Sequence, residues 1–489
     1  MKNSTPLFPG FHLPTLRRKP RSERQRLADQ LVEIRQKSFD QLSVCFGKLI
    51  PQHQLKPTNE GAMSRRRLFS RENTFWAFFS QILDADGGCK EVVRKLQAFA
   101  ALRDIPQPSS STSAYCQARK KLEHNHLASM LEHTSKTAQS LPQESRLKGR
   151  RVIVVDGTGV SMPDTAENQD VWPQPSNQKP GCGFPQARIC GCFCLNTGML
   201  LSYELGSKKS HELPLLRKQW GAFKRGDIFL GDKGFCSYFD ISNMKDKGID
   251  SVVTLARRKP VSAHESLKVL GKDDLLIRWK KPVRVKASSY SQADWEALPE
   301  QLQLRQIKVT VTQPGFRTST LHIITTLLDP IEYPACEIAD LYLQRWEIEL
   351  FIRDIKTTIG MDILRCRTPD MVRKEILMHF IVYNCLRQLM LEASIRNSVS
   401  VRRISFKGTL QAIRQWEPQF TQSRIKQHER NRLVELLYDS IANNKVDNRP
   451  GRSEPRAVKR RPKPYQLLTA PRHLMKEIPH RGRYRAKEA

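Results

Sequence analysis

Hydrophobic and polar positions follow a helical period through the first third of the chain and then change to a strand period. The run SERQRLADQLVEIRQKSFDQLSVCFGKLIP reads as an amphipathic helix, with Ser22 as its N-cap and Pro51 as its stop. NTFWAFFSQILDAD and KEVVRKLQAFAAL repeat the pattern. IPQPSSSTS is a linker whose Ser111 or Thr112 caps the next helix, SAYCQARKKLEHNHLASMLEH. The period changes at Arg151. RVIVVD predicts a short buried strand ending in Asp156, and ARICGCFCL and GMLLSYEL predict two more joined by a tight turn at Asn196-Thr197-Gly198. A helix through ELPLLRKQWGAF follows, then the strand GDIFLGD running into Asp232, a helix within DKGFCSYFDISNMKDKG, and the strand DSVVTLARR. Between Pro260 and Tyr333 the helical signal disappears, and LLIRWKK, LRQIKVTVT and STLHIITTLL read as strands. Helical periodicity returns at Pro334 with ACEIADLYLQRW and continues through MVRKEILMHFIVYNCLRQLMLEA and RIKQHERNRLVELLYDSIANN.

A meander of three strands, then helix, strand, helix, strand, is the opening of a ribonuclease-H-like α/β fold. In that arrangement the ends of the first and fourth strands lie side by side, which brings Asp156 and Asp232 together. The expected organisation is a helical N-terminal DNA-binding domain over 1–145 and a first core segment over 146–258. A β-rich insertion over 259–333 interrupts the core, which resumes over 334–400. A helical C-terminal region over 401–444 and a basic flexible tail over 445–489 complete it. The tail carries fourteen Lys and Arg against four Asp and Glu, so it is expected to be extended, like the Pro-rich basic residues 1–21.

Composition bears on partners more than on fold. Of 489 residues 39% are hydrophobic, enough for real cores, while 82 Lys and Arg against 49 Asp and Glu give a formal net charge of +33. That excess favours nucleic acid or an anionic membrane. No apolar run approaches 18 residues, and the basic N-terminus lacks the apolar core of a signal peptide, so a soluble intracellular protein is expected. Eleven cysteines, an odd and scattered set, argue against a full disulfide framework. Cys182, Cys190, Cys192 and Cys194 suggest a metal site. However, strand alternation puts the last three on one face, which reads as small thiols in a core.

The run YLQRWEIELFIRDIK places Tyr342, Arg345, Glu349 and Lys356 at offsets of 0, 3, 7 and 14. In a continuous α-helix these project within a stripe roughly 60° wide. A carboxylate flanked by two cations and a phenol suits a metal-bound phosphate. Two strand-end aspartates and a helical glutamate form the carboxylate set of a two-metal phosphoryl-transfer site. Blander readings stand beside this one. Asp156 alone is a turn residue, Glu349 alone an i,i±4 partner of Arg345 or Arg353, and the stripe a solvated charged face. Asp164, Asp227, Asp354 and Asp362 read as neighbours without a role. Ser210-His211-Glu212 reads as a cap for the next helix. Trp279 and Trp295 read as core residues, with stacking on an unpaired base as the alternative. Arg257-Arg258-Lys259 reads as a DNA-tracking run or a solvated loop.

The spacing Y-(2)-R-(3)-E-(6)-K, with VVDGTGVSMPDT and GDIFLGDKGF around the two aspartates, resembles the insertion-sequence-four family of bacterial DDE transposases. The resemblance covers nearly the whole chain. It implies catalytic and metal-binding Asp156, Asp232 and Glu349, with Tyr342, Arg345 and Lys356 on phosphates near the cleaved DNA end. It implies two Mg²⁺ ions, replaceable by Mn²⁺, and double-stranded element-end and target DNA as partners. It also implies a homodimeric synaptic complex and a cytoplasmic, nucleoid-associated setting. The reaction implied is binding of inverted-repeat ends, cleavage of flanking DNA and joining of the 3′ ends to a target. Two other readings remain: a DNA-binding protein that does not cut, as a decayed copy or inhibitor, and a nuclease that cuts without joining.

Overall fold

A computed structural model describes residues 4–5, 8–12, 40–56, 61, 63–64, 68–102, 107–142, 144–208, 210–255, 259–284, 289–310, 320–421, 427–447, 469–471 and 474–475. Most of the predicted helix from Ser22, the pair Arg257-Arg258 and most of the tail lie outside the described residues. The chain divides into two compact units, residues 1–126 with 416–425, and residues 127–415 with 426–489.

In the first unit the central helix is Arg71–Leu83. Ser70 caps it, Oγ accepting from Asn73 N at 3.2 Å, as its Ser-Arg-Glu start favours. Phe75, Trp76, Phe78, Phe79, Ile82 and Leu83 are all buried, and so are Thr74, Ser80 and Gln81, so the helix is enclosed on every side. Its polar face is satisfied locally: Gln81 Oε1 accepts from Tyr115 Oη at 2.7 Å and Arg119 Nη1 at 3.1 Å. The expected single helix from Ser113 is interrupted. It forms Ser113–Lys121 and His124–Gln139, because Leu122 turns extended and is itself buried. Thr112 occupies the cap position without a side-chain bond, while Ser111 Oγ accepts from Ser113 N. The N-terminal residues form a two-stranded ribbon, β1 Ser4–Thr5 and β2 Phe8–His12.

The second unit is built on one nine-stranded mixed sheet. Its strands are β3 Val152–Ser161, β4 Gln186–Cys194, β5 Leu200–Ser207, β6 Ile228–Leu230, β7 Asp250–Thr254, β8 Lys268–Gly271, β9 Asp274–Lys280, β10 Gln301–Thr310 and β11 Thr320–Thr325. The spatial order is β5-β4-β3-β6-β7-β11-β10-β9-β8. β3, β4 and β5 form the antiparallel meander, while β6 and β7 run parallel to β3. The strands of residues 259–333 do not stand apart from this sheet. β11 pairs antiparallel with β7, and β10, β9 and β8 extend the sheet outward.

Helices Glu212–Arg217 and Tyr238–Asp246 cover one face, over a core that includes Ile153, Val155, Cys190, Cys192, Phe229 and Val253. Trp279 and Trp295 belong to this same core, 8% and 7% exposed, so packing is their role. The opposite face receives Phe351 and Tyr383 against Phe193, with ring centroids 5.8 and 6.1 Å apart. Cys190, Cys192 and Cys194 are buried free thiols, and burial pushes Cys192 up to about 12. The core reading of these cysteines therefore holds.

Helix Pro369–Arg396 begins with Pro at its first position and is buried along most of its length. It grips the meander through side chains. Asn384 Oδ1 accepts from Leu200 N, and its Nδ2 donates to Leu200 O, each at 3.0 Å. Tyr383 Oη donates to Gly198 O at 2.6 Å, and Arg387 Nη2 to Thr197 O at 2.7 Å. Gly198 has φ +74°, and a Cβ there would fall 2.1 Å from Arg387 Nη2. Gly198→Ala is therefore expected to lower stability by at least ~1–2 kcal/mol from the left-handed backbone alone, read as a lower urea midpoint.

Candidate active site

Strand register sets the site. β3 pairs with β4 along Ile153–Ser161 but with β6 only over Val152–Val154, where Val154 faces Leu230. Asp156 and Asp232 each stand two residues beyond that last pair, on neighbouring parallel strands spaced about 4.8 Å apart. The expectation that Asp156 ends its strand needs correction, since β3 continues to Ser161 and Asp156 sits at its middle. Only the pairing towards β6 ends there. β6 stops because Asp232 turns back to cap the tight turn Lys233–Phe235, its Oδ1 accepting from Gly234 N at 2.7 Å.

Asp156 is half-buried, and its Oδ1 accepts from Gly157 N at 2.8 Å. Burial first, then repulsion from Glu212 and Asp232, raises its pKa from 3.8 to about 6 against the opposing pull of the Gly157 bond and Arg345. Tyr342 is 7% exposed, and its hydroxyl shares a 2.9 Å hydrogen bond with Thr254 Oγ1 at the end of β7. Burial also raises the Tyr342 hydroxyl, with Arg345 and Asp232 acting on it. Asp156, Asp232, Tyr342 and Arg345 therefore share one electrostatic neighbourhood. Lys356 lines a small cleft with Asp156, Thr158, Ile352 and Ile355, and its Nζ lies 3.3 Å from Asp362 Oδ1.

Glu349 stands apart. Its side chain is 67% exposed, with Oε1 4.0 Å from Arg345 Nη2. The uniform stripe fails for a geometric reason. Residues 335–358 stay helical, but Gln344–Trp346 forms a 3₁₀ turn and Asp354–Thr358 a π turn between and after the α segments Ala335–Leu343 and Glu347–Arg353. Three 3₁₀ residues advance roughly 60° more than α residues do, enough to swing Glu349 off the line of Tyr342 and Arg345. Among the described residues no three His, Cys, Asp or Glu side chains converge as a metal-holding group.

Two acidic residues outside the expected set also shape this region. Glu212 opens helix Glu212–Arg217 beside Gly157; the helix is preceded by His211 without a side-chain cap bond, so the Ser210-His211-Glu212 capping expectation is not met. Glu347 is buried, pairs with Arg402, and lies 3.8 Å from Arg146. Arg146 also donates to Gln344 Oε1 and Leu195 O, tying this helical segment to the meander. Neither residue carries a spacing signal, because both gain their neighbours only through tertiary folding. Of the acidic neighbours read as without a role, Asp227 pairs with Arg151 and Asp362 with Lys356.

Residues 147–385 match the family described as Transposase DDE domain. The chain is 25% identical over 416 residues to the transposase InsG for insertion sequence element IS4 of Escherichia coli (strain K12), covering 83% of this chain and 89% of that protein. The chain belongs to the insertion-sequence-four family of DDE transposases. A shorter likeness, 29% over 150 residues, links the transposase to the probable transposase for insertion sequence element IS5377 of Geobacillus stearothermophilus, over 30% of this chain and 39% of that one. A piggyBac transposase synaptic complex with hairpin DNA, solved by cryo-EM, aligns with 87% of this chain and 86% of its own. At 10% identity and a TM-score of 0.39 that likeness is too low to bear on the fold. The matched domain runs from just before β3 into helix Pro369–Arg396, so Asp156, Asp232 and Glu349 all fall inside it.

Proposed function

We propose that this transposase binds the inverted-repeat ends of an insertion sequence, cleaves the flanking DNA and joins the 3′ ends to target DNA by two-metal phosphoryl transfer. The observation that carries the reading is the matched register of Asp156 and Asp232 on adjacent parallel strands within the DDE domain. The strand order β5-β4-β3-β6-β7 with helices on both faces supports a ribonuclease-H-like core, to which residues 259–333 add a β-rich extension.

The donor set fits a hard divalent cation such as Mg²⁺, or Mn²⁺ in its place. The carboxylates are oxygen donors, and the repulsion that raises Asp156 is what a bound cation relieves. Held there, the ions supply charge stabilisation at the attacking and leaving oxygens. Asp156 and Asp232 hold the cations, and Glu349 adds its carboxylate from the exposed face of its helix. Arg345 and Lys356 meet phosphate charge, Arg through its planar fork and Lys as a point charge. Tyr342, bonded to Thr254, fixes the helix beside β7 and contacts DNA only at its edge.

The net charge of +33 supports double-stranded DNA as partner, with the helical N-terminal region as the reader of end sequence. Joining two ends in one event supports a homodimer on DNA, working in the cytoplasm at the nucleoid. Among the described residues no helix is long and apolar enough to cross a membrane. The exposed position of Glu349 favours one second reading, a protein that binds ends without cutting. Pre-cut ends incubated with Mg²⁺ and a supercoiled plasmid test the proposal. Joined products are expected. End binding with neither cleavage nor joining would favour the second reading.

A further inference from the structure

The Glu212 carboxylate lies over the strand at Gly157. A Cβ built on Gly157 would fall 2.0 Å from Glu212 Oε1 and 2.4 Å from its Cδ, so this approach exists only because residue 157 has no side chain. Gly157 is also the residue whose N–H binds the Asp156 carboxylate. Helix Glu212–Arg217 packs on β3 and on the turn Lys233–Phe235 that Asp232 caps, so one short helix touches both aspartate-bearing segments. Arg188 Nη1, at 3.4 Å from Oε1, is a single, partly exposed partner for this carboxylate. A third negative charge beside two others is unfavourable unless a cation is shared, because Coulomb repulsion at such range is not fully screened in a half-buried cleft. The family match independently points to a divalent cation.

We infer that Glu212 is a further carboxylate of the cation site built on Asp156 and Asp232, and that the affinity of that site for a divalent cation depends on it. The inference rests on the proposed reading of those two aspartates as cation-holding residues.

The test is direct Mn²⁺ binding to the full chain, read as loss of the free Mn²⁺ paramagnetic resonance signal, with melting curves to establish folding. Glu212→Gln is expected to weaken binding by at least about tenfold, and Asp156→Asn to abolish it at the same site. Gly157→Ala keeps all three carboxylates but displaces Glu212, and is expected to weaken binding in the same direction. It decides the matter if Glu212→Gln does not fold. Arg188→Met removes the ion pair alone and is expected to leave Mn²⁺ affinity unchanged. Wild-type affinity in Glu212→Gln or Gly157→Ala, with binding lost in Asp156→Asn, would overturn the inference and leave the proposed function standing. Equal weakening by Arg188→Met would also overturn it, by assigning the effect to the ion pair. Wild-type affinity in Asp156→Asn would instead remove the cation site itself.

Discussion

Asp156→Asn is expected to stabilise the cation-free protein at neutral pH while abolishing DNA cleavage. In the fold the Asp156 carboxyl titrates near 6 rather than its ordinary 3.8. Between these values the folded chain holds more protons than the unfolded chain, so stability falls as pH rises through that window. Above it the ionised group costs on the order of 2–3 kcal/mol, since one pKa unit corresponds to about 1.4 kcal/mol. Asparagine has the same shape and no charge. In EDTA the stability gap between variant and wild type is therefore expected to be near zero below about pH 4 and to reach roughly 1–3 kcal/mol by pH 7. Urea denaturation at a series of pH values measures it. Mg²⁺ is expected to raise the midpoint of the wild type and not of the variant, because only a state that binds a ligand is stabilised by it. End cleavage is expected to fall by at least about 10³-fold, several kcal/mol of lost transition-state stabilisation. A variant less stable than wild type at every pH would contradict this account of the site.

The second large effect lies where the sheet extension meets the segment leading to residue 335. Arg305 on β10 is fully buried. Its Nε and Nη2 donate to the two oxygens of Asp274 on β9 at 2.8 and 2.6 Å, and its Nη1 donates to Tyr333 O at 2.6 Å. Weaker bonds reach Leu327 O and Asp329 O at 3.4 Å. One guanidinium thus ties two strands to the loop that enters helix Ala335–Leu343. Arg305→Ala leaves Asp274 charged and buried and frees the Tyr333 carbonyl, so a loss of about 3–5 kcal/mol is expected. Replacing both partners with apolar residues, Arg305→Met with Asp274→Leu, is expected to recover a large part of it, since the cost of a buried unpaired charge disappears. Equal losses in the single and double variants would show that the loop anchor, not the unpaired Asp274, sets the cost.

Local pattern made much of this molecule legible. Apolar runs located β3 to β7 and their order, and the aspartates after RVIVV and IFLG fell at neighbouring strand positions as the meander implied. Alternation placed Cys190 and Cys192 in the core. What local pattern missed depends on distant pairing. Nothing in STLHIITTLL says that β11 joins β7, so a separate insertion became a continuation of one sheet. The stripe was computed at 100° per residue, and a 3₁₀ turn at Gln344–Trp346 is invisible to that arithmetic. Glu212 looked like part of a helix cap because its partner, the bare backbone of Gly157, lies 55 residues earlier.

The most direct measurement is Mg²⁺-dependent cleavage of a labelled duplex spanning the element end, comparing the wild type with Glu349→Ala under conditions where both bind that duplex. Cleavage at the end by the wild type, lost in Glu349→Ala with binding retained, is the predicted result, and it would bring the exposed Glu349 into the same site as Asp156 and Asp232. End binding without cleavage by either protein, in Mg²⁺ or Mn²⁺, would contradict the account.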